Sequence, residues 1–436
     1  MQKKDFIKKL IGELVVSAYG CTEIGVIGYP CALCYEQLKG KGEIKSIEIE
    51  MSPFVFKNAS RVGVPNLGQC GIPMMTAVGA YICKPERKLE LFSSVTEEEK
   101  AQGKKLVDEN KVTVKVKNDC DPVYCHVKMT MTSGDNAECL IEKGHEQVIY
   151  LKVNDKEVGD FGHKEETEQS TNTNEKGTYT ADDFTVRDLY DIVMQFDYDD
   201  LSFLEKVFYI NQQISSYGVK NAIPGSFTET FDKSFPRPRT WKQEVIYKTC
   251  AAIDARMSGA SMPVMSSCGS GDHGLTLSIP QYIYHILNHN DPILFLRGLC
   301  LANLITWKIK YNIGALSSMC GSVVAAATGA FMGMGVQLKF TIEQLESLFE
   351  ALLCQYAGVI CDGAKMSCTY KVAGALNNGF MVLNMIQNGY KVNPLDGIVA
   401  GNCEKTLSVY RNISKNNSKE INKSIVEKLN EISHEN

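Results

Sequence analysis

The least polar stretch of the chain, from about residue 313 to residue 336, constrains the fold more than any other feature. Its length approaches that of a membrane-spanning helix, but it is rich in Gly, Ala and Ser, and no neighbouring stretch supports a multi-span protein. Small side chains allow two helices to approach each other closely. The stretch therefore predicts a buried core helix over 313–335 and a protein with no membrane partner.

The rest of the chain divides into a part that mixes strands with helices and a part that is almost entirely helical. In the first part, short segments alternate apolar and polar residues, as at Ile47, Ile49 and Met51, which is typical of half-buried strands in a mostly antiparallel sheet. In the second part, apolar residues recur at helical spacing. The predicted fold class is therefore α+β, with a largely helical catalytic domain and an embedded smaller α/β sheet domain.

Three domains are predicted from these patterns. They are N-terminal helices at 1–40 that pack on the helical domain, a sheet-containing α/β domain at 41–184 that ends in a polar loop, and a helical catalytic domain at 185–436. The polar run 155–183 is the expected linker or flexible loop. Thr185 and Asp188 have the pattern of a helix capping box. Further helices are predicted over 3–19, 186–197, 201–215, 240–258, 278–288, 292–309, 342–357, 369–387 and 419–432, with a break at 259–274.

The charge balance argues against two classes of partner. The chain has a formal net charge of -5 and a sequence pI of ≈ 5.9, with Lys and Arg scattered along it. Nucleic acids and anionic membrane surfaces are bound by basic patches, so neither is expected as a partner. The N-terminal segment has an amphipathic helical pattern and lacks the uninterrupted apolar core of a signal peptide. This pattern predicts a cytoplasmic protein.

The chain contains 16 cysteines, which is many for a protein without an expected signal peptide. Disulfides are disfavoured in a reducing compartment, so most of these thiols are expected to be small buried side chains. Cys31 and Cys34 have the spacing of a redox or zinc pair. They lie in an apolar run with no second pair nearby, which favours core packing.

Three other cysteines are candidate metal ligands. Cys361 and Cys368 lie on either side of a turn predicted by Asp362-Gly363, and Cys320 lies at the start of the small-residue run. Thiolates are stabilised by backbone N–H groups where a loop enters a helix. Zinc would usually recruit a fourth Cys or His at close spacing, whereas a cubane iron–sulfur cluster held by three cysteines leaves one iron open. Spacing alone leaves open the alternative of three buried cysteines without a metal.

Several polar groups could complete such a site. Cys21 follows a predicted helix and is either a structural residue or, beside a metal, a general base or fourth ligand. The segment SSCGSGDHG at 266–274 offers N–H groups and hydroxyls to a phosphate or carboxylate, or is a plain turn. His273 could act there as an acid or base. Asp254 and Arg256 could fix a carboxylate, or form a helix-surface pair. Weaker candidates of the same kind are Lys57-Asn58 and Gly144-His145.

The chain resembles the L-cysteine desulfidase family, also known as serine dehydratase alpha-like proteins, over nearly its whole length. The segments that carry the resemblance are GCTE at 20–23, SPFVFKN at 52–58, GVPNLGQCGIPMMTAVGA at 63–80, GH at 144–145, DARMSGASMPVMSSCGSGDHG at 254–274, MCGSVVAAATGA at 319–330 and ICDGAKMSC at 360–368. The chain departs from the family pattern at Ile24, where the family has Pro, and at Cys268, Asp272 and His273.

The resemblance implies a [4Fe–4S] enzyme that does not use pyridoxal phosphate. Cys320, Cys361 and Cys368 would be the cluster ligands, and Cys21 would be the catalytic base or a transient fourth ligand. The predicted substrate-binding residues are Asn58, Arg256, Ser266, Ser267, Gly269, Ser270 and His273.

The expected reaction is α,β-elimination of L-cysteine to pyruvate, ammonia and hydrogen sulfide. Alternatives are dehydration of L-serine by the same mechanism and a non-catalytic iron–sulfur or redox-sensing protein. A pyridoxal-phosphate lyase would need a Schiff-base lysine, for which Lys365 and Lys371 are available. The expected partners are a small amino-acid substrate and a further copy of the chain in a homo-oligomer.

Overall fold

The computed structural model describes residues 2–68, 70–159, 161 and 179–434. The helices within these ranges are α1 Lys3–Leu14, α2 Thr22–Leu38, α3 Pro53–Ala59, α4 Ile72–Ile82, α5 Glu97–Asp108, α6 Val186–Val193, α7 Tyr198–Leu201, α8 Glu205–Lys220, α9 Phe227–Ser234, α10 Trp241–Met257, α11 Gly271–Asn288, α12 Pro292–Ile313, α13 Thr328–Gln337, α14 Ile342–Tyr356, α15 Cys368–Gln387 and α16 Cys403–His434. A π-helical turn at Ser322–Ala327 leads directly into α13.

The described residues contain eight strands, which form two sheets. They are β1 Ser17–Tyr19, β2 Ile44–Met51, β3 Val112–Val116, β4 Tyr124–Met131, β5 Asn136–Glu142, β6 Val148–Val153, β7 Lys156–Glu157 and β8 Pro263–Met265. The larger sheet has the order β3-β2-β4-β5-β6-β7, and only β2 and β3 are parallel. The prediction of an α+β fold with a small, mostly antiparallel sheet is confirmed.

The small sheet determines where the candidate site can form. In it β1 pairs antiparallel with β8, and Ser17 lies opposite Met265. This pairing places the segment before Cys21 beside the segment before Ser266, although the two are far apart in the sequence. Two strands of only three residues are therefore enough to join two parts of the predicted site.

The two N-terminal helices pack on different parts of the molecule. Helix α1 packs against α12, whereas α2 packs against α4 and the strands β4 and β5. Cys31 and Cys34 of α2 are fully buried at the face that meets buried Cys125 and Cys139 of the sheet. This setting agrees with core packing of the pair. The domain boundaries at residues 40 and 184 remain predictions.

Several predicted helix limits are wrong. The first helix ends at Leu14 because the residues that follow pair in β1, and the predicted break at 259–274 already contains the start of α11 at Gly271. The last helix begins at Cys403 rather than at 419. The predicted helix 313–335 is interrupted, because α12 ends at Ile313, before Gly314 (φ +96°), and a loop precedes the π-helical turn. The capping box of Thr185 and Asp188 is confirmed, while residues 162–178 of the expected loop lie outside the described ranges.

Helix α13 is buried along its whole length, as the small-residue stretch predicts. Among the described residues, one helix, α12, is long and apolar enough to cross a membrane by length and composition. However, 78% of its most apolar window is buried inside the protein, as in a core helix. The two helices approach closely where Gly329 of α13 meets Ala302 of α12. A Cβ at Gly329 would lie 2.4 Å from the Ala302 carbonyl oxygen.

Replacing Gly329 with alanine is expected to lower the free energy of unfolding by about 2 kcal/mol, because the added methyl group overpacks this helix crossing. Gly12 is the matched control, since it is an exposed helical glycine and a Cβ added there would have no atom within 4 Å. Gly12→Ala should be neutral or stabilising by about 0.5–1 kcal/mol. Urea denaturation of both variants checks the prediction. Equal stability of Gly329→Ala and the wild type would contradict it.

Candidate active site

Two short extended segments bring Cys320 and Cys361 together. Met319 and Ile360 form an isolated antiparallel bridge. The Cys320 N–H donates to the Val359 carbonyl at 2.9 Å, and the Cys361 N–H donates to the Ser318 carbonyl at 2.7 Å. The third predicted ligand, Cys368, is the first residue of α15. Backbone pairing and a helix start thus hold the three predicted ligands in one region.

Cys320 is buried, Cys361 and Cys368 are half-buried, and the three thiols affect one another electrostatically. Burial and the neighbouring Cys361 raise the pKa of Cys320 to about 12, although N–H groups of the π-helical turn oppose the shift. Burial, Asp272 and Cys320 raise the pKa of Cys368. Both groups are therefore thiols at neutral pH in the absence of a metal. A bound metal would have to displace their protons, which is the usual requirement for cysteine ligands.

The donor set fits an iron–sulfur cluster better than a single ion. Among the described residues, no group of three or more His, Cys, Asp or Glu side chains could hold one metal ion. A zinc ion needs all its donors within about 2.3 Å of one centre. In a cluster each cysteine binds a different iron, so the thiols are spread more widely. Cys320, Cys361 and Cys368 supply the ligand type and number that a cubane with one open iron requires.

A buried lysine that the sequence pattern did not reveal lies beside this group. Lys310 of α12 is 4% exposed, and its Nζ donates to the Ala315 carbonyl at 2.8 Å. Burial lowers its pKa to about 8, although Cys361, Cys268 and Cys320 oppose the shift. Of the lysines considered for a Schiff base, Lys371 forms an ion pair with Asp362 and donates to the Ile360 carbonyl.

The Ser/Gly segment is a tight turn fixed to the N-terminal part of the chain. The Ser266 hydroxyl donates to the Val16 carbonyl at 2.7 Å, and Ser267 and Ser270 exchange backbone hydrogen bonds. Gly269 has a φ of +74°, which a glycine adopts without strain. Since Ser266 already uses its proton, the hydroxyls of Ser267 and Ser270 are the better donors for a bound anion.

His273 lies on the first turn of α11 with its ring inside the site. Its Nδ1 lies 3.1 Å from the Ser267 carbonyl, which assigns the ring proton to Nδ1. Burial and Lys310 lower its pKa to about 3, so the ring is neutral. A Cβ at Gly321 would lie 2.4 Å from the His273 Nε2, so this ring reaches the residue after Cys320.

Arg256 connects the cysteine group with the segment that carries Cys21. Its Nη1 donates to Asp272 at 2.9 Å, in a buried ion pair, and its Nη2 donates to the Gly20 carbonyl at 3.0 Å. Its Nε is buried without a hydrogen-bond partner among the described residues. Asp254 does not act with Arg256, because its carboxylate accepts hydrogen bonds from Thr228 and Thr369.

Cys21 forms a hydrogen-bonded pair with a carboxylate. It caps the start of α2, and its Sγ lies 2.6 Å from the Glu23 Oε2. Burial and Glu23 raise the pKa of Cys21 well above its ordinary value, whereas the charge of Arg256 opposes this. The Asn58 Nδ2 donates to Glu23 Oε1 at 2.8 Å, and the Asn58 Oδ1 is buried without a partner among the described residues.

The Glu23 carboxylate is ionised despite its burial. Burial alone would raise the pKa of Glu23, but the charge of His145 and the hydrogen bonds from Cys21 and Asn58 lower it overall. His145 lies in the turn after β5, so the sheet-containing part also contributes to the site. The His145 Nε2 is buried without a hydrogen-bond partner in the described part of the chain. Glu23 lies inside the GCTE motif, but its role depends on contacts that no spacing rule predicts.

Lys57 ties α3 to the loop of Cys361. Its Nζ donates to the Cys361 carbonyl at 2.9 Å and to the Asn422 Oδ1 of α16 at 2.6 Å. The Gly363 backbone also lies against α3, because a Cβ there would lie 2.1 Å from the Lys57 carbonyl oxygen. Through its hydrogen bond to the Cys361 carbonyl, Lys57 thus holds the backbone of a predicted ligand in place. The predicted role in fixing a carboxylate is not what its contacts indicate.

Replacing Lys57 with methionine is expected to loosen the Cys361 loop, because buried carbonyl and amide oxygens would lose their donor at a cost of about 1–3 kcal/mol each. Hydrogen exchange of peptides covering 357–366 should become faster. Lys9→Met is the control, since Lys9 is exposed and forms only a surface pair with Glu13. Unchanged exchange in Lys57→Met would contradict this positioning role.

A cavity of about 500 Å³ lies between α3, the 118–122 loop and α16, beside Asn422. None of the predicted site residues lines it. Cys320, the Cys21–Glu23 pair and the Arg256–Asp272 pair are buried, whereas Cys361 and Cys368 are half-buried.

The described residues thus bring Cys320, Cys361 and Cys368 into one region, which Asp272 and Arg256 connect to the segment of the hydrogen-bonded Cys21–Glu23 pair. A family model described as the serine dehydratase alpha chain matches residues 86–427, and the chain belongs to this family. The chain is 31% identical to a UPF0597 protein of Clostridium perfringens, with 97% of each chain covered. It is 30% identical to a UPF0597 protein of Alkaliphilus oremlandii, with 93% of this chain and 94% of that one covered.

Proposed function

We propose that the protein catalyses [4Fe–4S]-dependent α,β-elimination of L-cysteine, in which cysteine and water give pyruvate, ammonia and hydrogen sulfide. The observation that carries the proposal is the grouping of Cys320, Cys361 and Cys368 in one region, connected through Asp272 and Arg256 to the segment of Cys21. Membership of the serine dehydratase alpha chain family supports a lyase of this type. A cytoplasmic location and a homo-oligomeric state remain predictions.

Cys320, Cys361 and Cys368 would hold the cluster. When bound, it supplies a Lewis-acidic iron that lowers the cost of releasing the β-substituent as an anion. The protein contributes the buried Cys21, Glu23 and Arg256, since burial excludes water and strengthens each electrostatic interaction among them. The remaining steps depend on groups of the chain itself.

Removal of the substrate α-proton is assigned to Cys21, assisted by Glu23. The Cys21 thiol donates to a Glu23 carboxylate that is ionised, so a route for its proton exists. Arg256 lowers the cost of forming the thiolate. Cys21 then accepts the α-proton as a general base. A role for Cys21 as a transient fourth ligand is the alternative for this residue.

Two buried polar atoms have no hydrogen-bond partner among the described residues and are suited to bind the carboxylate and the ammonium group of an amino acid. The Arg256 Nε is a donor for a carboxylate, and the Asn58 Oδ1 is an acceptor for an ammonium group. Leaving such buried atoms without partners costs about 1–3 kcal/mol each, which a bound substrate would recover. Ser267, Ser270, the Gly269 backbone and His273 would complete the carboxylate contacts.

Dehydration of L-serine is the second candidate, and the description of the matching family favours it. The same groups would act, with water as the product in place of hydrogen sulfide. Hydroxide is a poorer leaving group than sulfide, so serine turnover depends more strongly on the open iron.

The test is anaerobic purification, iron and sulfide analysis, and pyruvate assays with L-cysteine and L-serine. We expect about four irons per chain and pyruvate formation with equimolar sulfide from L-cysteine. Faster turnover of L-serine would select the second candidate. Borohydride-sensitive visible absorption would indicate pyridoxal phosphate, and a bound cluster without turnover of either amino acid would indicate a non-catalytic iron–sulfur protein. Either of the last two results would refute the proposal.

A further inference from the structure

The ammonium group of Lys310 is buried without a carboxylate partner. Its Nζ donates to a backbone carbonyl, and within the described ranges no Asp or Glu forms an ion pair with it. Removing an ammonium ion from water costs several kcal/mol unless an anion or a full set of acceptors compensates for it. A single carbonyl does not provide that compensation, so an anion is expected near Lys310 in the functional state.

The groups that face Lys310 are thiols. As thiolates, Cys361, Cys268 and Cys320 would all stabilise its charge, and Lys57 is the opposing cation. The neutral His273 ring also lies beside it. The Lys310 Cδ would lie 3.4 Å from a Cβ at Gly321, the residue after Cys320. Two of the three thiols beside this lysine are therefore predicted cluster ligands.

The other cations close to the cysteine group are already engaged. Arg256 pairs with Asp272, and Lys371 pairs with Asp362. Lys57 is held by carbonyl and amide oxygens. When the cysteines bind a metal they are thiolates, which leaves a net negative charge in a buried site. Lys365 is only half-buried and lies near Asp362. Among the described cations of this region, Lys310 is the one that is buried with a single carbonyl as its acceptor.

We propose that Lys310 is the counter-charge of the thiolate ligands and a positioning residue for the cluster that they hold. This inference rests on the proposed function. The fixed positive charge stabilises the ligated, negatively charged state and favours electron uptake by it, because a nearby cation lowers the energy of added negative charge. Charge and hydrogen bonding around a cluster are the levers by which a protein sets its reduction potential.

Lys308 provides a matched control on the same helix. It is also buried, at 2% exposure, but its Nζ donates to the carbonyls of Ala181 and Phe184. The negatively charged and thiol groups that act on it are Glu404, Asp182 and Cys403, none of which is a predicted ligand. A neutral substitution at Lys308 removes a buried lysine of α12 without changing the charge beside the cysteine group.

The experiment compares Lys310→Gln, Lys310→Arg and Lys308→Gln with the wild type, all purified anaerobically with the cluster bound. Glutamine keeps a donor for the Ala315 carbonyl but removes the charge, whereas arginine keeps the charge. We measure the midpoint potential of the cluster and the rate of iron loss to a chelator. Lys310→Gln should shift the potential to more negative values and weaken iron retention about tenfold or more. Lys310→Arg should lie closer to the wild type, and Lys308→Gln should match it.

Wild-type potential and iron retention in Lys310→Gln would overturn the inference while leaving the proposed function intact. Equal shifts in Lys310→Gln and Lys308→Gln would also overturn it, because they would indicate a general effect of removing a buried lysine. If Lys310→Gln does not fold, the comparison uses Lys310→Arg. A midpoint potential equal to that of the wild type supports the inference. A midpoint potential that becomes more negative despite the retained charge overturns it. Absence of a cluster from the wild type would overturn the proposed function and this inference together.

Discussion

Cys361→Ala is expected to lose the cluster and to reduce pyruvate formation from L-cysteine by about 10³-fold or more. Two remaining cysteines cannot hold a cubane that has one open iron, and loss of a Lewis-acidic metal removes several kcal/mol of transition-state stabilisation. Each 1.36 kcal/mol corresponds to about a factor of ten in rate. Iron analysis and the pyruvate assay on anaerobically purified protein measure both effects.

Cys354 and Cys268 are the controls for this experiment. Cys354 is exposed on α14, so Cys354→Ala should keep both iron and activity. Cys268 lies close enough to Lys310 for their charges to interact, but it is not among the three predicted ligands. Cys268→Ala should therefore retain iron. Full activity in an iron-free Cys361→Ala protein would refute the assignment. If Cys268→Ala loses iron while Cys361→Ala retains it, Cys268 is the ligand in place of Cys361.

Cys21→Ala is expected to keep its iron but to lower kcat by about 10²–10⁴-fold, which is the usual contribution of a general base. Glu23→Gln should also lower kcat, because the neutral amide cannot accept the proton of the Cys21 thiol, whose Sγ lies 2.6 Å from the Glu23 Oε2. Exchange of the substrate α-proton with deuterated water measures the step directly. It should slow in parallel with pyruvate formation in both variants.

Glu13→Gln is a suitable control, since Glu13 is exposed on α1 and its carboxylate forms a surface pair with Lys9. It should exchange the α-proton at the wild-type rate. Unchanged exchange in Cys21→Ala would remove Cys21 from the role of base. Loss of iron in that variant would instead support its alternative role as a fourth ligand.

The sequence predicted those parts of the fold that have a regular pattern. Alternation identified the strands of the main sheet, and small residues identified α13 as buried. Helix α16 was placed too late because the apolar residues on its inner face, Cys403, Leu407 and Tyr410, are followed by polar residues that interrupt the pattern. Ser414 and Ser418 turn inward there and bond to Ser317 and Ser318. Polar residues at helical spacing are ordinarily taken as solvent-facing, so pattern alone could not place this segment.

The candidate site was predictable where motifs are local, and not where it depends on contacts between distant segments. Cys361 and Cys368 are close in the sequence, and their turn is signalled by Asp362-Gly363. Glu23 and Lys310 were missed because charged residues within apolar helices are normally assigned to the surface. Only the fold shows that Glu23 meets Cys21 and that Lys310 faces thiols.

The hydrogen bond between Lys57 and Asn422 has a consequence for the order of biogenesis. It joins residues 365 positions apart, and Lys57 also bonds the carbonyl of Cys361. The contacts of Lys57 that hold the Cys361 loop are therefore complete only after residue 422 has left the ribosome. Contacts of such long range form late in folding, because the intervening chain must first be ordered. In the proposed function, a cluster that is inserted before residue 422 is made would therefore meet a Cys361 loop that lacks the Lys57–Asn422 contact.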